Sequence, residues 1–248
     1  MGIPPKSLLI RPPFRKLFPL ITIPICLILT LIAFRVTLKW EDQKNEAGFQ
    51  FAAEDRFSAF QREIESNLET LLALKALYST SPKITRSQFH DFVAPLLSHH
   101  PSIQALEWIP RVTDSQREAY EAEAKRDGFT DFEITERGPQ KKVLRANKRK
   151  EYFPVYFVEP YKGNESALGF DLASNPTRLG ALALSRGTGE MVATGRITLV
   201  QETGNQFGFL VFVPVYRTLA MNSTQESPKN LEGFVLGVFR IADLLEKS

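Results

Sequence analysis

Gly163-Asn-Glu-Ser-Ala-Leu-Gly-Phe-Asp171-Leu-Ala-Ser-Asn-Pro-Thr-Arg178 places a carboxylate between Phe170 and Leu172, in a run that otherwise reads as a buried strand leading into a helix. Desolvating an unpaired carboxylate costs several kcal/mol or raises its pKa until it is neutral. Asp171 therefore needs a partner: backbone N–H groups, a basic side chain such as Arg178, or a ligand from outside. Downstream, Asn175 and Pro176 have the order of a helix cap and first turn, and Gly187-Thr-Gly189 closes that helix. Two strands follow, Met191 to Gln201 and Phe207 to Tyr216, joined by the polar turn 202–205, then a polar loop to Asn230 and a last strand from Glu232 to Arg240.

Upstream of this stretch the texture differs. Tyr152 to Val158 and Ile103 to Val112 are strand-like, and a helix starting near Thr113 ends at Gly128, the expected left-handed terminator. Phe129 to Glu136 reads as a short strand. Residues 141–150 hold six basic side chains in ten positions, which between two strands reads as a solvated loop. Thr85 and Gln88 have capping-box spacing for a helix that buries Phe89, Phe92, Val93, Leu96 and Leu97. Residues 41–80 form one long amphipathic helix, with Phe57, Phe60, Ile64, Leu68, Leu71, Leu74 and Tyr78 stepping by three and four, close to a heptad seam. That stripe suits a helix packed on its own domain and a homodimer stalk equally.

Residues 17–38 are the membrane helix. Residues 17–34 carry no charged side chain and are long enough to cross the hydrocarbon core. Lys6, Arg11, Arg15 and Lys16 precede it in a basic segment, 1–16, so the N-terminus is expected in the cytoplasm and the remainder outside the inner (plasma) membrane. Residues 1–39 hold six of the 31 basic and none of the 28 acidic residues, which leaves 25 basic against 28 acidic side chains beyond them, a formal −3. The basic pI of the whole chain thus reports the anchor flank, and no nucleic-acid partner is implied. The single cysteine, Cys26, lies in the span, so no disulfide forms within the chain.

Helices first and consecutive strands afterwards argue for an α+β fold with antiparallel sheet. No catalytic signature is present: no G-x-S-x-G, no phosphate loop, no H-E-x-x-H. His90, His99 and His100 lack a ligand set and read as helix-end residues, so neither metal nor cofactor is expected.

The blocks I-Q-A-L-E-W-I-P-R-V at 103–112, Y-F-P-V-Y at 152–156, G-N-E-S-A-L-G-F-D-L-A-S at 163–174, V-A-T-G-R-I-T-L-V at 192–200, G-F-L-V-F-V-P-V-Y at 208–216 and L-E-G-F-V-L-G-V-F-R-I-A-D-L-L at 231–245 closely resemble the CHASE domain, an exported sensory domain of membrane receptors that feed histidine kinases and nucleotide cyclases. The resemblance implies a non-enzymatic sensor at 85–245, built as two PAS-like antiparallel sheets in tandem behind the stalk, binding a small molecule in the membrane-distal unit. In plant members an aspartate at the position of Asp171 hydrogen-bonds an adenine-type cytokinin. Ala193 and Thr194 match the facing strand, Phe212 a wall position, and Tyr156 lies in a matching block. Thr194-Gly-Arg196-Ile departs from the proline and aromatic residues of the plant pattern, which puts a cation, Arg196, near or just outside the pocket and points to a small polar or anionic ligand. An exported enzyme and a dimerisation module without a ligand are the alternatives. A closed apolar space beside Asp171 would favour the sensor. The chain stops at Ser248 with no second span, which suits a fragment of a longer receptor or a stand-alone anchored sensor.

Overall fold

The computed structural model describes residues 14–81, 83–139, 142–199, 207–217 and 230–241. The first basic residues Lys6 and Arg11, the turn at 202–205 and most of the 219–230 loop lie outside them. The chain divides into two units, 1–57 and 58–248.

Helix α1 runs from Phe14 to Thr80 and includes both the segment expected to span the membrane and the segment expected to form a stalk. In the first unit, Thr22–Glu41 is long and apolar enough to cross a membrane, with mean hydropathy 1.8 and no buried residue. Phe49, Phe51 and Phe57 are also exposed. In the second unit the predicted stripe packs on its own domain: Leu71, Leu74 and Tyr78 are buried and Phe60 and Leu68 partly so. Helix α2, Arg86–His99, starts at the expected capping box, with Thr85 accepting from Gln88 and Gln88 accepting from Thr85.

The domain is organised on one six-stranded antiparallel sheet. Strands β1 (Ile103–Pro110), β10 (Leu231–Arg240) and β9 (Phe207–Tyr216) form its centre, with β6 (Phe157–Glu159) beside β1, and β7 (Val192–Ala193) and β8 (Ile197–Thr198) both on the far edge of β9. Two small ladders flank it: β2 (Val112–Thr113) with β5 (Glu151–Tyr152), and β3 (Thr135–Arg137) with β4 (Val143–Arg145). Both faces of the sheet are covered, so its central strands are nearly continuous apolar runs rather than alternating ones. One face carries α1, α2 and the helix α3 (Arg117–Arg126) over Leu106, Trp108, Val211, Val213 and Phe239. The other carries α4 (Pro176–Thr188) and the 153–172 segment over Ala105, Ile109, Leu210, Phe212, Phe234 and Val238. A β-carbon on Gly237 would sit 2.8 Å from the Phe239 ring and 3.1 Å from Leu71, so this glycine is what lets α1 lie close on the sheet.

Three strand expectations are shortened. The 129–136 strand is only Thr135–Arg137, the 152–158 strand breaks into β5 and β6, and the 191–201 strand breaks into β7 and β8 around Thr194–Arg196. The Asp171 run is not a strand either. Gly169 turns the chain at φ +79, where an added β-carbon would strike the Glu133 carbonyl, and no ladder continues through such a residue. Phe170 and Asp171 make single bridges to Thr135 and Pro154, after which Asp171 caps the 3-10 turn Leu172–Ser174.

Candidate ligand-binding site

Asp171 is fully buried and its carboxylate is served from within the chain. Oδ1 accepts the N–H of Phe153 at 2.8 Å and of Ala173 at 3.2 Å, and Oδ2 accepts from Arg149 Nη1 at 2.9 Å. Burial pushes its carboxyl up, against the pull of the Phe153 N–H, the Arg149 guanidinium and the Ala173 N–H. Its cation is therefore Arg149, from the basic 141–150 segment, and Arg149 also holds Glu136. The segment is placed by a second buried knot: Arg117 bonds Glu121 and the carbonyls of Ile134 and Ala146.

Arg178 lies elsewhere. Asn175 caps α4 by accepting the N–H groups of Thr177 and Arg178. The Arg178 side chain then enters the core under the sheet, where it is 4% exposed and meets Glu107 of β1, 2% exposed. Both line a cavity of about 10 Å³ with Val155, Ala167, Leu172, Leu199, Leu210 and Val238, roughly the space one water needs. Arg178 Nη2 donates to the Thr198 carbonyl at 3.2 Å and its guanidinium lies 5.3 Å from the Phe170 ring centre, but its Nε has no hydrogen-bond partner. Burial pushes the Glu107 carboxyl up to about 8, opposed by the charge of Arg178, so this acid is largely protonated at neutral pH. Burial likewise pulls the Arg178 guanidinium down to about 10, with Arg137 acting in the same direction and Glu107 against it. The arrangement can donate from Arg178 Nε to an acceptor arriving in the cavity.

The six expected site residues do not converge. Phe212 lies in the core on the same face, 5.8 Å from Phe234 ring to ring. Thr194 is buried beside the cavity wall, its N–H donating to the Leu210 carbonyl at 2.8 Å and its Oγ1 accepting the Leu210 N–H at 3.0 Å. Ala193 is exposed on the edge strand β7, opposite Val211. Arg196 is exposed too, its guanidinium 4.2 Å from the Phe207 ring centre. Tyr156 packs on the opposite face of the sheet. Asp171 touches the cavity only through its neighbour Leu172. Sequence reading passed over Glu107, although a lone acid inside I-Q-A-L-E-W-I-P is the same signal that singled out Asp171. Of the partners it offered for Asp171, the backbone N–H groups are present and Arg178 is not; a cation in the first turn of a helix, where the dipole is unfavourable to it, was the available warning. Among the described residues no group of three or more His, Cys, Asp or Glu side chains could hold a metal ion.

Comparison with known proteins gives the class of this domain. The family model of the CHASE domain matches residues 82–248. The chain belongs to the CHASE domain family, which is a family of sensory domains. It is 25% identical over 159 residues to the hybrid signal transduction histidine kinase A of Dictyostelium discoideum, a match covering 64% of this chain and 7% of that protein. It is 24% identical over 186 residues to the germination-specific adenylate cyclase of the same organism, covering 73% of this chain and 20% of the cyclase. The chain thus spans a small part of the curated relatives it matches.

Proposed function

We propose that this chain is the extracytoplasmic sensory part of a membrane-anchored receptor and that it binds a small polar molecule on the α4 face of the sheet, between Glu107 and Arg178. The observation that carries this reading is an ionisable pair enclosed in an apolar core beside a cavity, with a guanidinium Nε left unserved. Such a pair contributes little to stability and is often replaceable by apolar residues, and strongly shifted groups cluster at functional sites. Thr22–Glu41 anchors the receptor, the sheet is one of two PAS-like units, and α1 passes the signal as part of a homodimer, for which the exposed Phe49, Phe51 and Phe57 offer apolar contact. A kinase or cyclase output, as in the names of the two relatives, would be carried by other parts of the receptor. Asp171 is buried and bonded to Arg149 and to the Phe153 and Ala173 N–H groups, so in this reading it chiefly holds its neighbour Leu172, a wall of the cavity, in place.

A ligand-free dimerisation module is the second reading, favoured by a cavity of only water size. Thermal-shift screening of the full chain in detergent, with adenine-type bases and small carboxylates, separates the two, because a ligand that binds only the folded state raises the melting temperature. A hit whose affinity falls in Arg178→Met and Glu107→Leu supports the sensor. Equal affinity in wild type and Asp171→Ala removes the aspartate as a contact. No shift with any compound, or a shift indifferent to both interior variants, sinks the proposed site.

A further inference from the structure

The opposite face of the sheet holds an open groove of about 1070 Å³, bordered by the end of α1, the start of α2, α3 and the β1 and β6 strands. Its floor is aromatic. Tyr78 stacks on Trp108 at 3.8 Å and 13°, and Tyr156 stands edge-on to Tyr120 at 5.4 Å and 80°. Tyr78 and Tyr156 are 7% and 6% exposed, and neither hydroxyl has a hydrogen-bond partner. Burial pushes both phenols up, so both stay protonated donors. Arg86 adds a third orphan donor, its Nε. Its guanidinium lies 4.0 Å and 4.7 Å from the ring centres of Phe129 and Phe157, and its Nη2 donates to the Tyr156 carbonyl at 3.0 Å.

Three ion pairs lie on the rim, Lys83 with Glu123 at 2.6 Å, Arg217 with Glu232 at 2.5 Å and Arg111 with Glu151 at 2.7 Å; His90 Nδ1 lies 3.0 Å from Glu159, and Asp127 also lines the groove. Arg86 forms no ion pair among the described residues; Asp127 and Glu159 act on it only from beyond contact. Three unserved donors, one of them on a cation, suit a group rich in acceptor oxygens, of which a carboxylate is the simplest, and the stacked rings complement a flat π-surface. We propose that this groove is a second binding site, for a small planar aromatic carboxylate, with Arg86 and the Tyr78 and Tyr156 hydroxyls taking the anionic end and Trp108 facing the ring. It does not rest on a ligand at Glu107 and Arg178.

The test uses the full chain carrying Trp40→Phe, which leaves Trp108 as the one remaining tryptophan of two. The probe is 4-nitrobenzoate, which quenches indole emission, with neutral 4-nitrobenzamide as its isosteric control. Saturable quenching is expected, weaker by about tenfold for the amide and for Arg86→Gln, and by about fivefold for Tyr78→Phe and for Tyr156→Phe, in line with the loss of one charge-assisted hydrogen bond. The two phenylalanine variants remove only unpartnered hydroxyls and should keep their melting temperatures, so they remain informative if Arg86→Gln does not fold. Glu107→Gln should leave the quenching curve unchanged, which separates this groove from the interior site. Linear, unsaturable quenching overturns the proposal. So does benzoate-like binding of the amide, or binding unchanged in both tyrosine variants.

Discussion

Glu107 and Trp108 are neighbours on β1, yet they face opposite sides of one sheet and meet opposite physical problems. On the α4 side the core closes around Glu107 and Arg178 and leaves a cavity of about 10 Å³, room for about one water beside two ionisable groups. On the α1 to α3 side the elements stand apart around about 1070 Å³, the rim charges pair at the solvent edge, and it is uncharged hydroxyls and one arginine nitrogen that go unserved. Both faces leave an arginine Nε unserved, but the closed face adds a carboxyl held largely protonated, whereas the open face adds two phenol hydroxyls without partners. A ligand on the first side must part a packed core; on the second it enters an open groove and has to reach donors just beneath its floor.

The comparison is broken most severely by emptying the closed face. Phe234 is fully buried, edge-on to Phe153 at 5.6 Å and to Phe212 at 5.8 Å, so Phe234→Ala should destabilise the domain by about 3–5 kcal/mol in urea unfolding. Arg178→Met comes next, at about 1–3 kcal/mol, because the charge-assisted bond from Arg178 to the Thr198 carbonyl is lost. Glu107→Leu added to Arg178→Met should recover part of that loss, since apolar side chains then replace both ionisable groups beside the cavity. A double variant as unstable as Arg178→Met alone would show that the two residues do not act as a pair.

Protonation sharpens the same contrast. The folded-state pKa of Glu107 is about 8 against an ordinary 4.5, so between those values the folded state binds more protons than the unfolded one and stability falls as pH rises. That part of the stability is complete below about pH 4.5 and lost by about pH 8, with a slope of up to ~1.4 kcal/mol per pH unit. Burial raises Asp171 as well, with the same sign. Glu121 and Glu151 are lowered, so their contributions are lost at acid pH, outside this window. Arg178, pulled down only to about 10, titrates above this window and leaves it flat. Melting temperature should therefore decline from pH 5 to pH 8 in wild type and level out in Glu107→Gln. A wild-type curve that is already level means that Glu107 ionises normally.

How much of this could be read from the chain follows from the range of the interactions. The Thr85 capping box, the Asn175 cap and the Gly128 and Gly189 terminators are local, and the structure has each where the residues put it. The final strands were equally plain, because both covered faces turn 207–216 and 231–240 into long apolar runs. The need of Asp171 for a partner was legible, backbone N–H groups among the candidates, and the cation that serves it was not. Arg149 is 22 residues away and arrives only because the Arg117 knot folds the 134–146 segment back, and nothing local separates it from the other basic residues of its loop. The strand breaks at Gly169 and around Thr194 escaped for a similar reason: apolar content suggests a strand, while the carbonyl of Glu133 and the edge of β9 decide where it ends.

The smallest expected effect lies on the open face and is the more decisive for being small. A hydroxyl that is buried and hydrogen-bonded normally costs about 1 kcal/mol or more when deleted, because its partner is stranded. Tyr156 has no such partner, yet its ring packs against Tyr120, Phe132 and Phe157 at 5.1–5.6 Å. Tyr156→Phe keeps those ring contacts and removes only an unmet desolvation cost, so stability should stay within about 0.5 kcal/mol of wild type or rise slightly. The same holds for Tyr78→Phe, whose ring keeps its stack on Trp108. A loss above about 1 kcal/mol in either variant would mean that the hydroxyl is bonded in the free protein. Three open donors would then fall to two, and the groove would lose the feature that distinguishes it from an ordinary cleft between helices and sheet.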